Sequence, residues 1–346
     1  MDILINLPVH YPAMQVWSRH IREKLKDIDE FLLEQYKQGR EEKKRDWRTY
    51  EEQYALRIKE AMKELTPLIN EAVDSIHIEK GRGRRHELTL KQRVTLLLLQ
   101  RLFGESNRMM ASMLAIFSAL SGIDVSYKTV ERLYSDPEVE LALHNLHVLI
   151  LRKKGVDDIE ASGDGTGYSL TIKKNYASET EKRNDEVKET KNDRKMTFAY
   201  SFKLMDVKTK MYVAYGTSLK SEREAYARAR LMLKGVGIHL KSVSLDRYYS
   251  HPSDVDAFGE TKVYIIPRKD ATLKGSWKWK RTMFEFVEET LSYLGHYYQR
   301  EHSENGWSVD KRRFGWDIAQ RREDRIDRAD FCTTVWHNLF QLGRNE

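Results

Sequence analysis

Tyr297 Tyr298 Gln299 Arg300 Glu301 His302 Ser303 Glu304 Asn305 Gly306, running on to Lys311, is the stretch on which the reading of this 346-residue chain turns. Tyr297, Arg300, Glu304 and Lys311 follow one another at intervals of three, four and seven. At about 100° of rotation per residue, those steps keep all four side chains within roughly 60° of one helical face. One carboxylate then sits among a guanidinium, an ammonium and a phenol. Such a face suits a metal-bound phosphate, with the carboxylate on the cation and the two bases on phosphate oxygens. A solvated helix laced by i,i+4 charge pairs has the same spacing. Asn305 and Gly306 also weaken the helix, since Gly costs a helix interior about 1 kcal/mol relative to Ala.

Composition narrows the setting. The chain is long enough for one large domain or two to three ordinary ones. Charged residues make up 33% and the net charge is +7, which favours a nucleic acid or another polyanion as partner. The single cysteine, Cys332, excludes an internal disulfide and a Cys-rich zinc site, fits a reducing cytosol, and reads as a small buried residue of a terminal helix. Apolar runs such as Val94 to Leu99, which contains Thr95, are far too short to span a bilayer, and the amino terminus has no basic-apolar signal pattern. The expected location is therefore cytoplasmic and nucleoid-associated, without membrane contact.

Three segments are expected. Residues 1–79 read as helical: Trp17 to Tyr36 and Trp47 to Leu65 carry apolar residues at steps of three and four, as a hairpin or a dimer seam. Pro67 should interrupt, leaving a short helix from Leu68 to Ile78. Residues 80–152 read as a helical DNA-binding module. It opens with Lys80 Gly81 Arg82 Gly83 Arg84 Arg85, where glycines allow close backbone approach and Arg82, Arg84 and Arg85 can reach phosphates or a narrow minor groove. Leu88 to Phe103 forms a helix ended by Gly104; Ser106 caps a second, broken at Gly122; Ser126 caps a third, Tyr127 to Tyr134. Lys128 and Arg132 lie on the polar side of that last helix, which is helix-turn-helix geometry, although a plain three-helix bundle has the same pattern.

From residue 153 to 346 strands alternate with helices, which describes a mixed sheet flanked by helices in an α/β domain. Ile159 to Leu170 reads as a strand, a Gly-rich break holding Asp164, and a second strand. Residues 173–195 are almost wholly polar and read as a mobile loop. Ser242 to Leu245 is a strand ending at Asp246. Trp277 and Trp279, among lysines, would point the same way in a strand and form a stacking platform for an unpaired base; alternatively they pack on the sheet edge. A single helix is expected over Met283 to Tyr298. In this layout Asp164, Asp246 and Glu304 can converge at one sheet edge, where shared carboxylates would hold two Mg²⁺ ions about 4 Å apart, although position alone does not single these three out from the 53 acidic residues of the chain.

The chain resembles the DDE transposases of bacterial and archaeal insertion sequences, specifically the superfamily with a YREK signature and a ribonuclease H-like core. Gly163 Asp164 Gly165 Thr166 Gly167 matches the first acidic motif and Leu245 Asp246 Arg247 Tyr248 Tyr249 Ser250 the second. Tyr297, Arg300, Glu304 and Lys311 reproduce the third at its full spacing, and Trp336 to Leu342 resembles the closing helix. The resemblance covers residues 88 to 342. It implies that Asp164, Asp246 and Glu304 are catalytic and hold two Mg²⁺, with Mn²⁺ able to substitute. It implies that Tyr297, Arg300 and Lys311 contact the element end, that double-stranded DNA (terminal inverted repeats and target) is the partner, and that the protein acts as a homodimer on DNA. Metal-activated water would cut a strand and the freed 3′-hydroxyl would attack target DNA. Asn305 and Gly306 depart from the family pattern. The 57 residues between Asp246 and Glu304 leave no room for the β-rich insertion of some relatives. A metal nuclease that does not join strands, and a DNA-binding regulator on an inactive core, are the competing readings.

Overall fold

The structure, a computed structural model, describes residues 21, 23–28, 30, 47–77, 87–104, 106–170 and 198–343. The Gly-Arg segment at 80–85, the polar segment at 173–195 and most of the first expected helix lie outside the described residues. The chain divides into two compact units: Leu240–Arg300 with the residues before Arg48, and Arg48–His239 with Glu301–Glu346.

In the larger unit, α1 (Trp47–Asp74) runs without a stop through Pro67, where the sequence predicts a break. Its buried stripe, Ala61, Leu65, Leu68, Ile69 and Ala72, continues across the proline. Packing of that stripe outweighs the single backbone hydrogen bond that proline forfeits. The next three helices end where the sequence places them. Thr89 and Gln92 form a capping box for α2 (Leu90–Phe103), which closes at Gly104 with φ +65°. Ser106 caps α3 (Asn107–Ser121), which closes at Gly122, and Ser126 caps α4 (Tyr127–Leu133). Each cap satisfies backbone groups that the helix itself leaves unpaired. Asp136 then caps α5 (Pro137–Lys154).

The sheet of this unit is mixed. Strand β1 (Asp158–Leu170) pairs antiparallel with β2 (Phe198–Asp206), which pairs antiparallel with β3 (Tyr212–Ser218). Helix α6 (Glu222–Val236) packs on β3 at Gly216, where a Cβ would stand 2.1 Å from the Ala225 carbonyl oxygen. Across the chain, α10 (Glu301–Phe314) precedes β6 (Asp317–Ile318), which runs parallel to the end of β1. Last comes α11 (Glu323–Leu342), buried along most of its length. Its Asn338 accepts from the Tyr212 amide at 2.7 Å and donates to the Tyr212 carbonyl at 2.8 Å, while Trp336 donates to the Leu98 carbonyl at 2.7 Å. Cys332 is fully buried there, as its composition context predicts, and burial pushes its thiol up to about 12.

The smaller unit holds the parallel pair β4 (His239–Leu245) and β5 (Lys262–Ile265), with α7 (Pro252–Asp256), α8 (Trp277–Glu288) and α9 (Thr290–Tyr297). Tyr293 of α9 donates to β5 carbonyls and accepts from the Ile265 amide at 2.8 Å, which fixes the helix on the strand. Two expectations are corrected here. The predicted helix over Met283 to Tyr298 is two helices meeting at Glu289, and the tryptophan segment is the start of α8, not a strand.

Candidate active site

Asp164 sits in the middle of β1, not at a break. The whole of Ala161 to Ser169 is paired with β2, so ladder hydrogen bonds override the flexibility of Gly163, Gly165 and Gly167. With a side-chain period of two, Ser162, Asp164, Thr166 and Tyr168 share one face of the strand. Helix α10 lies against that face. Ser303 and Ser162 share a buried hydrogen bond of 2.8 Å, the Lys311 ammonium donates to Thr166 Oγ1 at 2.5 Å, and the Trp307 and Tyr168 rings meet edge to face at 6.3 Å. Asp164 thus lies between two anchor points of the helix that carries Glu304. Glu304 itself is exposed, one residue beyond the anchored Ser303.

Gly306 permits this closeness. A Cβ at that position would stand 2.4 Å from Met205 Cε and 2.7 Å from the Tyr212 hydroxyl. The glycine that weakens α10 by propensity is what lets it approach β2 and β3, and the helix runs unbroken past Asn305 and Gly306. Burial lowers the Lys311 pKa; the Asp164 charge opposes that shift and the Lys203 charge adds to it. Lys311 therefore belongs to the same electrostatic neighbourhood as the acid on β1. Its ammonium also lies 4.9 Å from the ring of exposed Trp316.

The third motif is not one helix. Helix α9 ends at Tyr297, Tyr298–Arg300 form a turn of 3-10 helix, and α10 begins at Glu301. Only Glu304 and Lys311 share a helix, and seven residues leave them on one face. Tyr297 is buried in the smaller unit, with the Arg300 guanidinium 5.9 Å from its ring. Asp246 follows β4 directly, as expected, and accepts from the Arg247 amide at 2.6 Å to cap the 3-10 turn Arg247–Tyr249. Among the described residues no group of three or more His, Cys, Asp or Glu side chains is gathered for a metal ion.

Lys128 and Arg132 are exposed on α4, opposite buried Val130 and Leu133, while Glu131 between them pairs with Arg325. Arg82, Arg84 and Arg85 lie outside the described residues. Trp279 is corrected: it is 2% exposed, and its indole nitrogen donates to the Thr272 carbonyl at 2.8 Å. It packs in the core of its unit and offers no stacking platform, because α8 turns it inward while Trp277, two residues before, stays exposed. Sequence reading missed Thr166, Ser162 and Lys203. The alternation along β1 would have found the first two had that strand been read as continuous.

The fold is that of an α/β protein with a mixed sheet flanked by helices, and the chain belongs to the insertion-sequence transposases. It is 42% identical over 331 residues to the "Probable transposase for insertion sequence element ISA1214" of Archaeoglobus fulgidus, covering 95% of this chain and 98% of that protein. No family model matches the sequence, and no solved structure matches it. No helix among the described residues is long and apolar enough to cross a membrane.

Proposed function

We propose that this transposase is of the DDE type with a ribonuclease H-like core, cutting the ends of its element and joining the 3′-hydroxyl to target DNA. The observation that carries the reading is the seating of α10 on β1, which puts Asp164 beside Lys311 and on the face crossed by the helix of Glu304. Three antiparallel strands in sequence, a helix and two parallel strands also follow the chain order of that core.

Asp164, Asp246 and Glu304 would hold two Mg²⁺ or Mn²⁺ ions; three carboxylates supply the hard oxygen donors such ions require. When bound, the ions activate the attacking oxygen and stabilise the leaving one. The chain's own residues do the rest. Lys311, held by Thr166 and only half-buried, presents a fixed ammonium to a phosphate oxygen. Arg300 supplies a guanidinium to the element end, with Tyr297 shaping its surroundings. Residues 87–135 form the helix-turn-helix-like module, with Lys128 and Arg132 facing duplex DNA and Arg82, Arg84 and Arg85 following the backbone beside it. The active form is a homodimer on paired terminal repeats, in the cytoplasm at the nucleoid.

The test is incubation of the protein with Mg²⁺ and DNA bearing the native element ends. Cleaved and joined products are expected. Cleavage without joining would make the protein a nuclease, and binding without cleavage would make it a regulator.

A further inference from the structure

Beneath α10 lies a buried ionic cluster that the reaction does not use directly. Lys203 of β2 is fully buried, and its ammonium lies at ion-pair distances of 3.2 Å from Asp330 of α11 and 3.6 Å from Asp310 of α10. The rings of Trp307 and Tyr212 flank the ammonium at 4.5 and 4.7 Å. Asp310, itself buried, also meets His337 Nδ1 at 2.7 Å, and His337 Nε2 reaches the Lys210 carbonyl at 2.9 Å. Asp330 is held separately, accepting from Thr217 at 2.8 Å and from Ser201. Lys203 is the cross-strand partner of Asp164 in the β1–β2 ladder.

Buried charges of this kind are a poor source of stability, because desolvation offsets their attraction and apolar residues of equal volume hold a core as well. One attested use of such charges is registry, because a buried carboxylate has few places where its charge is matched. Asp310 sits six residues after Glu304 and one before Lys311 on the same helix. We infer that Asp310, matched to Lys203 and His337, is a positioning residue that sets the register of α10 on the sheet, so that Glu304 and Lys311 are held at fixed places relative to Asp164. This rests on the proposed roles of those three residues.

Two conservative variants separate registry from stability. D310N removes the carboxylate on α10 and leaves the Lys203–Asp330 pair. D330N removes the carboxylate on α11 and leaves Lys203 with Asp310. Both lose one buried partner of the same lysine, so a merely structural role predicts that cleavage of element-end DNA follows melting temperature in both. Registry predicts that D310N loses about 10- to 100-fold in cleavage, the scale set by removing a partner that orients a site. D330N should lose no more cleavage than its change in melting temperature accounts for, since Asp310 keeps its lysine. Amide exchange across residues 301–314 should rise in D310N and not in D330N. Equal cleavage by the two at matched stability, with α10 equally protected, would overturn the inference. If D310N does not fold, H337Q, which leaves Lys203, Asp310 and Asp330 intact, replaces it with the same expectations. Wild-type protein that neither binds nor cuts DNA would sink the proposed function alone, and amide exchange would then decide the tether.

Discussion

Ser162 of β1 and Ser303 of α10, 141 residues apart in the chain, share a 2.8 Å hydrogen bond in the buried interior. Asp164 is two residues beyond the first and Glu304 one beyond the second. A single neutral hydrogen bond contributes only about 0.5–1.5 kcal/mol. Its consequence is geometric: it is one of the contacts that hold the first turn of α10 against β1.

If Asp164, Asp246 and Glu304 hold the metal ions, then D164N, D246N and E304Q each reduce strand cleavage at least about a hundredfold, beyond the effect of disturbing outer partners. Duplex affinity stays close to wild type, because phosphate binding comes mainly from Lys and Arg. Gel-based cleavage and filter binding on one preparation check both. Substantial cleavage by D246N would remove Asp246 from the site.

Lys128 and Arg132 are exposed on the same short helix, so K128A with R132A should weaken binding of element-end DNA. Base-edge contacts would cost about 1–3 kcal/mol each and fall on the specific sequence. Phosphate contacts would instead weaken all DNA equally and lower the salt slope by about 0.9 per contact. A salt titration on specific and random duplexes distinguishes the two.

Gly306→Ala sets helix propensity against packing. Removing a helical glycine gains up to about 1 kcal/mol, whereas overpacking a core costs about 1–3 kcal/mol. With the Tyr212 hydroxyl 2.7 Å from the new methyl, packing prevails and the variant loses about 1–2 kcal/mol in urea unfolding. Gly235→Ala, on α6 with nothing within 4 Å, gains about 0.5 kcal/mol and serves as the control.

Trp279→Ala should cost about 3–5 kcal/mol as a buried large-to-small change, and Trp277→Ala less than about 0.5 kcal/mol. Thermal melting of the two variants reads this directly. Equal effects would contradict the placement of α8.

His147 is fully buried, and burial lowers its pKa to about 4 from an unfolded value near 6.5, opposed by its contact with the Val213 carbonyl. The folded state therefore resists protonation that the unfolded chain accepts. Stability from keeping the ring neutral is complete above about pH 6.5 and is lost as pH falls toward 4, by about 1.4 kcal/mol per unit at most. His147→Gln should lose about 3 kcal/mol less than wild type between pH 7 and pH 4, as unfolding at several pH values would show.

What depends on neighbours three or four residues away is legible in the chain. Caps at Ser106 and Ser126 and stops at Gly104 and Gly122 close backbone hydrogen bonds within one turn, so they are visible in the chain. The sequence also placed Asp246 directly after a strand and Glu304 and Lys311 on one helix face, because strand ends and helical spacing are local. Tertiary structure alone decided the rest. Pro67 stays inside α1 because a distant surface buries both sides of it, and β1 stays unbroken across three glycines because β2 pairs with it throughout. Trp279 turns inward because α8 is helical. Lys203, a charged residue in a strand, gives no local sign of burial; its matching carboxylates on α10 and α11 lie more than a hundred residues further along the chain. Pairing, close approach at Gly306 and charge matching are all set by contacts of high sequence separation, which no local pattern records.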